Sequence, residues 1–368
     1  MTPEAAARRG AAAHVLAGDI GGTKTALAIH AVDAAGTVTL VRDRTFASRD
    51  YAGLEEVIAA FLVERDERIA SAAFGIAGPV VDDAVITTNL PWRIERRRLS
   101  EGLGGAPVRL MNDLESTAYG ALFLPPDDVV TLSPGVARPG HRAVIAAGTG
   151  LGQAFLYHHG DHYTPVATEG GHADFAPCSP LEDDLLAFLR SRFGRVSYER
   201  IVSGPGLQNV FHFLDERLGR PVAPEIRARM AHEDPSAVIG AAAVAGASPT
   251  CREAVDLFLS VYGAQAGNLA LTVMATGGVY VAGGIVAKLL PLLPGSAFMH
   301  AFVAKGRYEA LMSEIPVWVI VNPRTALIGA VHAAIALLAG DASPRVRRRP
   351  RSLTDRRAHR TGRSRGTD

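Results

Sequence analysis

At 368 residues, with 48 % apolar and 20 % charged side chains, the chain holds enough material for two domains and has the mix of a soluble globular protein, which excludes disordered, collagen-like and coiled-coil architectures. Two cysteines, Cys178 and Cys251, are too few for a disulfide framework or a four-ligand zinc site, so no structural zinc and a reducing, cytoplasmic setting are expected. The net charge of +1 hides a split: residues 345–368 carry ten arginines against two aspartates, which leaves the preceding 344 residues at −7.

Residues 1–13 form an Ala/Arg-rich lead-in, expected to be disordered and without the pattern of an export signal. Residues 14–19 read as a short apolar strand, Gly21-Gly22-Thr23 turns the chain, and residues 26–32 and 38–45 supply two more strands. A helix is expected over 54–61, then strands at 71–76 and 84–88 with a Gly78-Pro79 turn between them. A strand at 108–111 runs into Asn112-Asp113, and 114–122 has helical character. Strands grouped before the first long helices, followed by βα alternation, predict a mixed sheet of the α/β class.

A second block begins near residue 113. Residues 143–147 read as a buried strand that ends in Gly148-Thr149-Gly150-Leu151-Gly152 and continues as a strand at 153–158. Helices dominate 181–275, and the longest, 250–275, is apolar on most faces, so it is expected to be deeply buried or to form a subunit contact. A strand at 279–282 closes on Gly283-Gly284, another lies at 317–321, and 325–338 is a final helix. Each block opens with a strand and a glycine-rich turn, which hints at an internal duplication. No segment reaches the roughly 18–20 unbroken apolar residues of a membrane span; 326–339 is shorter and carries Gly329 and His332. The Arg-rich end, 341–368, lacks apolar periodicity and is expected to be a solvated tail that binds anions weakly, with no specific nucleic-acid partner.

Three glycine turns carry the first chemical signal. In Asp19-Ile20-Gly21-Gly22-Thr23 two glycines free the backbone to approach an anion, the threonine hydroxyl adds a donor, and Asp19 suits a hydrated Mg²⁺. Gly148–Gly152 fails the dinucleotide fingerprint, since residue 153 is Gln and no helix follows, and it lacks the Gly-Lys-Ser/Thr of a P-loop. Gly283-Gly284 closes a buried strand. Each of these turns also reads as a plain hairpin or packing glycine.

The second signal is a set of carboxylates and amides without metal spacing. Asn112-Asp113 offers a general base beside an orienting amide, or a helix cap. Glu169-Gly170-Gly171-His172 and the Glu199 of Ser197–Gly206 add groups suited to several hydroxyls of a sugar. His158-His159-Gly160-Asp161-His162 reads as a hairpin with exposed histidines rather than a metal site.

Taken together and in order, these segments resemble bacterial glucokinases of the hexokinase-like, non-ROK type, within the actin/hexokinase/Hsp70 superfamily. The motifs run from Gly18–Thr23 through Thr88-Asn89-Leu90-Pro91-Trp92, Asn112-Asp113, Gly148–Gly152, Glu169–Phe175 and Ser197–Gly206 to Val281–Val286 and Lys305-Gly306-Arg307. The resemblance implies a two-domain actin-like ATPase (ribonuclease H-like) fold, with 14–111 plus 323–340 as the smaller domain and 112–322 as the larger. It implies ATP and Mg²⁺ as co-substrate and cofactor, glucose as acceptor and a homodimer. It makes Asp113 the catalytic base, and Asn89, Asn112, Glu169, His172 and Glu199 the sugar contacts. Gly18, Asp19, Ile20, Gly21, Gly22, Thr23, Gly148, Thr149, Gly150, Gly283 and Gly284 become the nucleotide contacts, with Asp19 toward Mg²⁺ through water. The cysteine-rich zinc motif of the ROK branch is missing, because only Cys178 follows His172, whereas Lys24 after Gly-Gly-Thr is ROK-like. Another hexose, another phosphate donor and a non-catalytic sugar-sensing regulator stay open as alternatives.

Overall fold

Strand β1 (Ala13–Ile20) is apolar on both faces and covered on both, the condition of a central strand. The computed structural model describes residues 12–63 and 67–340. From β1 the chain meanders through β2 (Lys24–Val32) and β3 (Val38–Ala47), then crosses by α1 (Leu54–Leu62) to β4 (Ile69–Ile76). A small three-stranded sheet of β5 (Val80–Val81), β6 (Ala84–Ile86) and β7 (Arg93–Glu95) precedes α2 (Arg96–Gly102) and β8 (Val108–Asn112). The first large sheet has the order β3-β2-β1-β4-β8, antiparallel across the meander and parallel from β1 to β4 to β8.

Helix α3 (Asp113–Gly120) leads into the second unit, made of β9 (Val129–Ser133), β10 (Arg142–Ala147), β11 (Leu151–His159) and β12 (His162–Thr168). A helical block follows: α4 (Pro180–Phe193), α5 (Gly204–His212), α6 (Pro224–Met230), α7 (Pro235–Val244) and α8 (Pro249–Thr272). The chain then runs β13 (Val279–Ala282), α9 (Gly284–Lys288), α10 (Ala297–Val303), α11 (Glu309–Ser313), β14 (Val317–Ile320) and α12 (Thr325–Leu338). The second sheet has the order β12-β11-β10-β13-β14-β9, with β10, β13 and β14 parallel. Apart from its added edge strand β9, it repeats the first: a three-stranded meander, then two parallel strands laid beside the meander's first strand. The duplication hinted at by the glycine turns is thus one of topology.

Several helices start alike. Ser179, Asp234 and Ser248 cap helices whose first residues are Pro180, Pro235 and Pro249, so a side-chain acceptor and a pre-set φ coincide at each start. Helix α8 is buried over most of its length among the helices and β10, which makes it a core helix and removes the sequence reason for reading it as a subunit contact. Helix α3 packs on both sheets, through Ala118 and Ala121 against Val144, Ala154 and Leu156, and through Tyr119 against Val15, Ala73 and Met111. Helix α12 covers β1 and β4 with small residues, and Ser71 Oγ and Ser116 Oγ donate to its carbonyls at Ala334 and Ala326, both at 2.7 Å.

Some boundaries differ from the expectation. The strand expected to 88 stops at Ile86, because the Thr87 hydroxyl donates to the Leu90 carbonyl at 2.7 Å and folds the chain into a turn. The helix expected over 114–122 occupies Asp113–Gly120, and the one expected over 250–275 ends at Thr272. Ala13, assigned to the disordered lead-in, is the first residue of β1 and pairs with Val32; residues 1–11 and the tail 341–368 lie outside the described residues. The histidine-rich 158–162 segment is the predicted hairpin, with Gly160 at φ +58° between β11 and β12.

Candidate active site

A cavity of about 930 Å³ opens where the C-terminal ends of β1, β8, β10, β13 and β14 meet. This is the edge at which parallel strands leave their turns free for a ligand. A second cavity, about 850 Å³, lies at the opposite ends of β1 and β4 and is lined by none of the predicted site residues.

The first wall is the β1–β2 turn. Asp19 sits half-buried at the end of β1, and its carboxylate makes no hydrogen bond or ion pair with another described residue. Gly21 N–H donates to Lys24 O at 2.9 Å, and the buried Ser48 props the turn from beneath. Its hydroxyl donates to Gly21 O at 2.8 Å and shares a 3.0 Å bond with Thr25, while its N–H donates to Thr23 O at 3.0 Å. Gly22 lies so close to Asn89 that an added Cβ would stand 2.6 Å from Asn89 Cβ. Three residues beyond Asn89 in the same loop, Trp92 is 2 % exposed and its Nε1 donates to Tyr51 O at 3.1 Å. Burying such a ring contributes about 2–3 kcal/mol toward fixing this loop.

At the next strand end, Asn112 is the N-cap of α3. Its Oδ1 accepts from Leu114 N at 2.9 Å and its Nδ2 donates to Gly78 O at 3.1 Å. The capping role weighed for Asp113 therefore falls chiefly to Asn112. Asp113 is the first helical residue, and its Oδ1 takes a second share of the same Leu114 N–H at 2.9 Å. Burial, reinforced by the Glu169 carboxylate, pushes Asp113 up to about 6 despite that bond. Burial, with the Asp113 carboxylate, likewise pushes Asp19 up to about 6. Two carboxyls at the ends of β1 and β8 thus share one electrostatic environment.

The third wall holds the polar trio. His172 stands between two carboxylates, Nδ1 3.7 Å from Glu199 Oε1 and Nε2 4.0 Å from Glu169 Oε2. Glu169 and His172 are each more than half exposed, so their polar atoms face the open cavity rather than the core. Gly171 makes this possible, since a Cβ there would lie 1.9 Å from Leu151 O. Glu199 also ties this wall to the next: its Oε2 accepts from Leu151 N at 2.9 Å, just past the β10–β11 turn.

That turn, Gly148–Gly150, is closed by Gly148 N donating to Gly150 O at 2.9 Å and touched by α5 through Gly204 N to Gly148 O at 2.8 Å. Beside it Gly283 has φ +97°, a conformation suited to glycine, and a Cβ would lie 2.2 Å from Ala147 O. Gly284 has open space where a side chain would be.

Of the predicted residues, the cavity brings together Asp19, Gly21, Gly22, Asn89, Asn112, Asp113, Gly148, Thr149, Gly150, Glu169, His172, Glu199, Gly283 and Gly284. It does not bring in Gly18, Ile20 or Thr23. Gly18 is packed on Phe74 and Leu27, Ile20 is in the core, and Thr23 is exposed away from the cavity. Alternation along β1 sends its residues to opposite faces, so adjacency in the motif does not carry over to the cavity. Residues that sequence reasoning missed act from behind: Ser48 under the first turn, and Arg195, which donates to His172 O at 2.7 Å and pairs with Asp174. The Lys305 motif, left without a role, donates to Ala264 O at 2.9 Å and Asn268 Oδ1 at 2.8 Å; Asn268 donates onward to the hydroxyl of Tyr198, the neighbour of Glu199, at 3.0 Å.

Comparison with known proteins identifies the family. The glucokinase family model matches residues 16–337. The glucokinase of Nostoc sp. strain PCC 7120 is 41 % identical over 339 residues, covering 88 % of this chain and 99 % of its own. That of Synechocystis sp. strain PCC 6803 is 40 % identical over 345 residues, covering 87 % and 97 %. Among solved structures, the glucokinase from an Antarctic psychrotroph superposes with a TM-score of 0.76 at 29 % identity, covering 89 % of this chain and 99 % of that one. A ROK family glucokinase from Streptomyces griseus, in complex with glucose and AMPPNP, shares the fold at a TM-score of 0.58 and 20 % identity, covering 88 % and 99 %. The fold is that of the actin-like ATPases, and the chain belongs to the glucokinase family.

Proposed function

We propose that the protein transfers the terminal phosphate of ATP to the 6-hydroxyl of glucose, giving glucose 6-phosphate and ADP at the entry to glycolysis. The observation that carries this reading is a single cavity with glycine turns on two walls and an acidic–imidazole trio on a third, and Asp113 between them. Phosphoryl transfer asks a protein for positioning and charge control rather than covalent chemistry. The peptide N–H groups of Gly21–Gly22 and Gly148–Gly150 hold the phosphates, and Gly283-Gly284 lets the nucleoside lie against bare backbone. Glu169, His172, Glu199 and Asn89 take the sugar hydroxyls. Asn112, with one amide hydrogen committed to Gly78, keeps the other for the sugar or for Asp113. Asp113, deprotonated, accepts the proton of the 6-hydroxyl as its oxygen attacks.

A half-buried carboxylate with no hydrogen-bond or ion-pair partner among the described residues fits Mg²⁺, which favours one or two carboxylates with waters and phosphates; Asp19 would hold it. When bound, the ion supplies positive charge to the phosphate chain. We assign 14–111 with 323–340 to a smaller domain and 112–322 to a larger one, and read the cavity as the cleft that closes on substrate and excludes water. A cytoplasmic homodimer is part of the same reading and rests on the family. No helix among the described residues is long and apolar enough to cross a membrane.

The test is a coupled assay of the purified protein against a panel of hexoses and phosphate donors with Mg²⁺. Glucose with ATP should give the highest kcat/KM. Turnover of another hexose or donor by a factor of ten or more above that pair would replace the assignment, and no turnover with any pair would leave a binding protein.

A further inference from the structure

Tyr262, at the middle of α8, is fully buried, and its hydroxyl lies where the two nucleotide turns leave the second sheet. It accepts from Ala147 N, and its single proton is shared between Ile145 O and Ala282 O, all at 3.2 Å. Ala147 is the last residue of β10 and Ala282 the last of β13, so one hydroxyl is bonded to both strands just before Gly148 and Gly283. The parallel pairing of these strands ends at Ala146–Ala282. Beyond that point the β10–β13 ladder makes no further pair, and the phenol reaches the first residue unpaired in that ladder, Ala147.

We propose that Tyr262 is a positioning residue for nucleotide binding: it sets the separation of the Gly148–Gly150 turn from the Gly283-Gly284 turn without touching the substrate. The inference rests on the nucleotide reading of those two turns. Three features argue for it over ordinary core packing. A Tyr ring held only for its apolar area would be served by Phe, and Phe258 and Phe298 already pack against it edge-on, at centroid distances of 5.8 and 5.5 Å. All three partners are backbone atoms within three residues of the turns, and two of them, Ala147 N and Ala282 O, belong to the residues that directly precede Gly148 and Gly283. And Gly283 crosses Ala147 O so closely that a Cβ would lie 2.2 Å away, so a small change in strand spacing is felt at the turn. Burial raises the phenol's pKa, which keeps its proton available for donation at any working pH.

The test is Tyr262→Phe in the full-length protein, with nucleotide affinity, glucose affinity and thermal midpoint measured separately. The expected result is a KM for ATP and a Kd for ADP raised about tenfold, as for loss of a hydrogen-bond set worth a factor of ten, with the glucose Kd within twofold. Equal weakening of nucleotide and sugar would make Tyr262 a general stabiliser and overturn the proposal, as would a lowered thermal midpoint with both affinities unchanged. Should Tyr262→Phe not fold, 3,5-difluorotyrosine at position 262 keeps the shape while weakening the oxygen as acceptor. A KM for ATP raised twofold or more with the glucose Kd unchanged then supports the role, and an unchanged KM overturns it. If the wild-type protein itself shows no ATP-dependent phosphorylation, the proposed function has failed; ADP binding by Tyr262→Phe then still decides the role of Tyr262.

Discussion

Replacing Asp113 with Asn keeps the size and the Oδ1 that shares the Leu114 N–H at 2.9 Å, and it removes only the charge and the basicity. Two effects of opposite sign follow. At pH 7.5 a carboxyl titrating at about 6 is almost fully ionised, so the base is available in nearly every wild-type molecule. Its loss should lower kcat by about 10²–10⁴, with the glucose Kd changed less than about threefold. The same shift is a stability statement. The folded state holds the Asp113 proton more tightly than the unfolded chain, from 3.8 to about 6, so ionising the group in the fold is unfavourable. That shift corresponds to about 3 kcal/mol, and solvent at the cavity mouth screens it to roughly 1–2 kcal/mol. The penalty is absent below pH 4, grows between about pH 4 and 6, and is complete above 6. Asp113→Asn should therefore melt a few degrees higher than wild type at pH 7.5 and level with it at pH 4. Paired measurements of phosphorylation rate and of calorimetric midpoints at the two pH values read both arms. Near-normal kcat would remove Asp113 as the base. A lower midpoint at pH 7.5 would show that the carboxylate is a favourable cap rather than a strained base.

The same titration predicts a rate profile: kcat should fall about tenfold per pH unit below 6 and be level above 7, where an unshifted aspartate would stay active to about pH 4. A profile flat from pH 5 to 8 would contradict it. Ser48→Ala removes the prop under Gly21–Gly22 and should raise the KM for ATP about fivefold, with the glucose KM unchanged, in steady-state assays. Asn268→Ala breaks the Lys305–Asn268–Tyr198 chain behind Glu199 and should act on the other substrate. The glucose KM should rise about three- to tenfold with the ATP KM within twofold; the reverse pattern would detach that chain from the sugar wall.

Much of the site was legible because its parts are local. Asp19 with Gly21-Gly22, Asn112-Asp113 and Gly148–Gly150 each sit at the end of a buried apolar run, and a strand followed by a glycine turn is readable from the sequence of a few residues. The α/β class followed from the same runs, whereas the actin-like fold was implied only by the family resemblance. What stayed hidden depends on distant contacts. Ser48 is an ordinary serine until the Gly21 carbonyl is placed 2.8 Å from its hydroxyl, and Tyr262 is one buried residue among many on a helix with no strong amphipathic stripe. Strand β9 escapes the sequence reading because it is a short, partly exposed edge that pairs, among the described strands, with β14 alone. Gly18 and Ile20 were drawn into the site by adjacency, although the alternation of β1 assigns them to the core.

The two hidden hydroxyls share a logic that the duplication makes intelligible. In each sheet the meander's first two strands are joined by a turn that ends level with the parallel strands beside it, so Gly21–Gly22 and Gly148–Gly150 reach one cavity from two sheets. Under the proposed function both turns present bare N–H groups to phosphate; such a turn needs glycine, and glycine makes it conformationally loose. A loose cradle binds weakly, because ordering it subtracts from the affinity. Beneath the first turn lies the hydroxyl of Ser48, and beneath the second that of Tyr262; each is buried and bonded to the turn's own backbone or to the strand residue that leads into it. The hydroxyls differ in residue type and arrive from different elements, so they are not a relic of the repeat. On the proposed reading of these turns as phosphate cradles, they are two answers to one physical demand, which is to stiffen a glycine turn from behind.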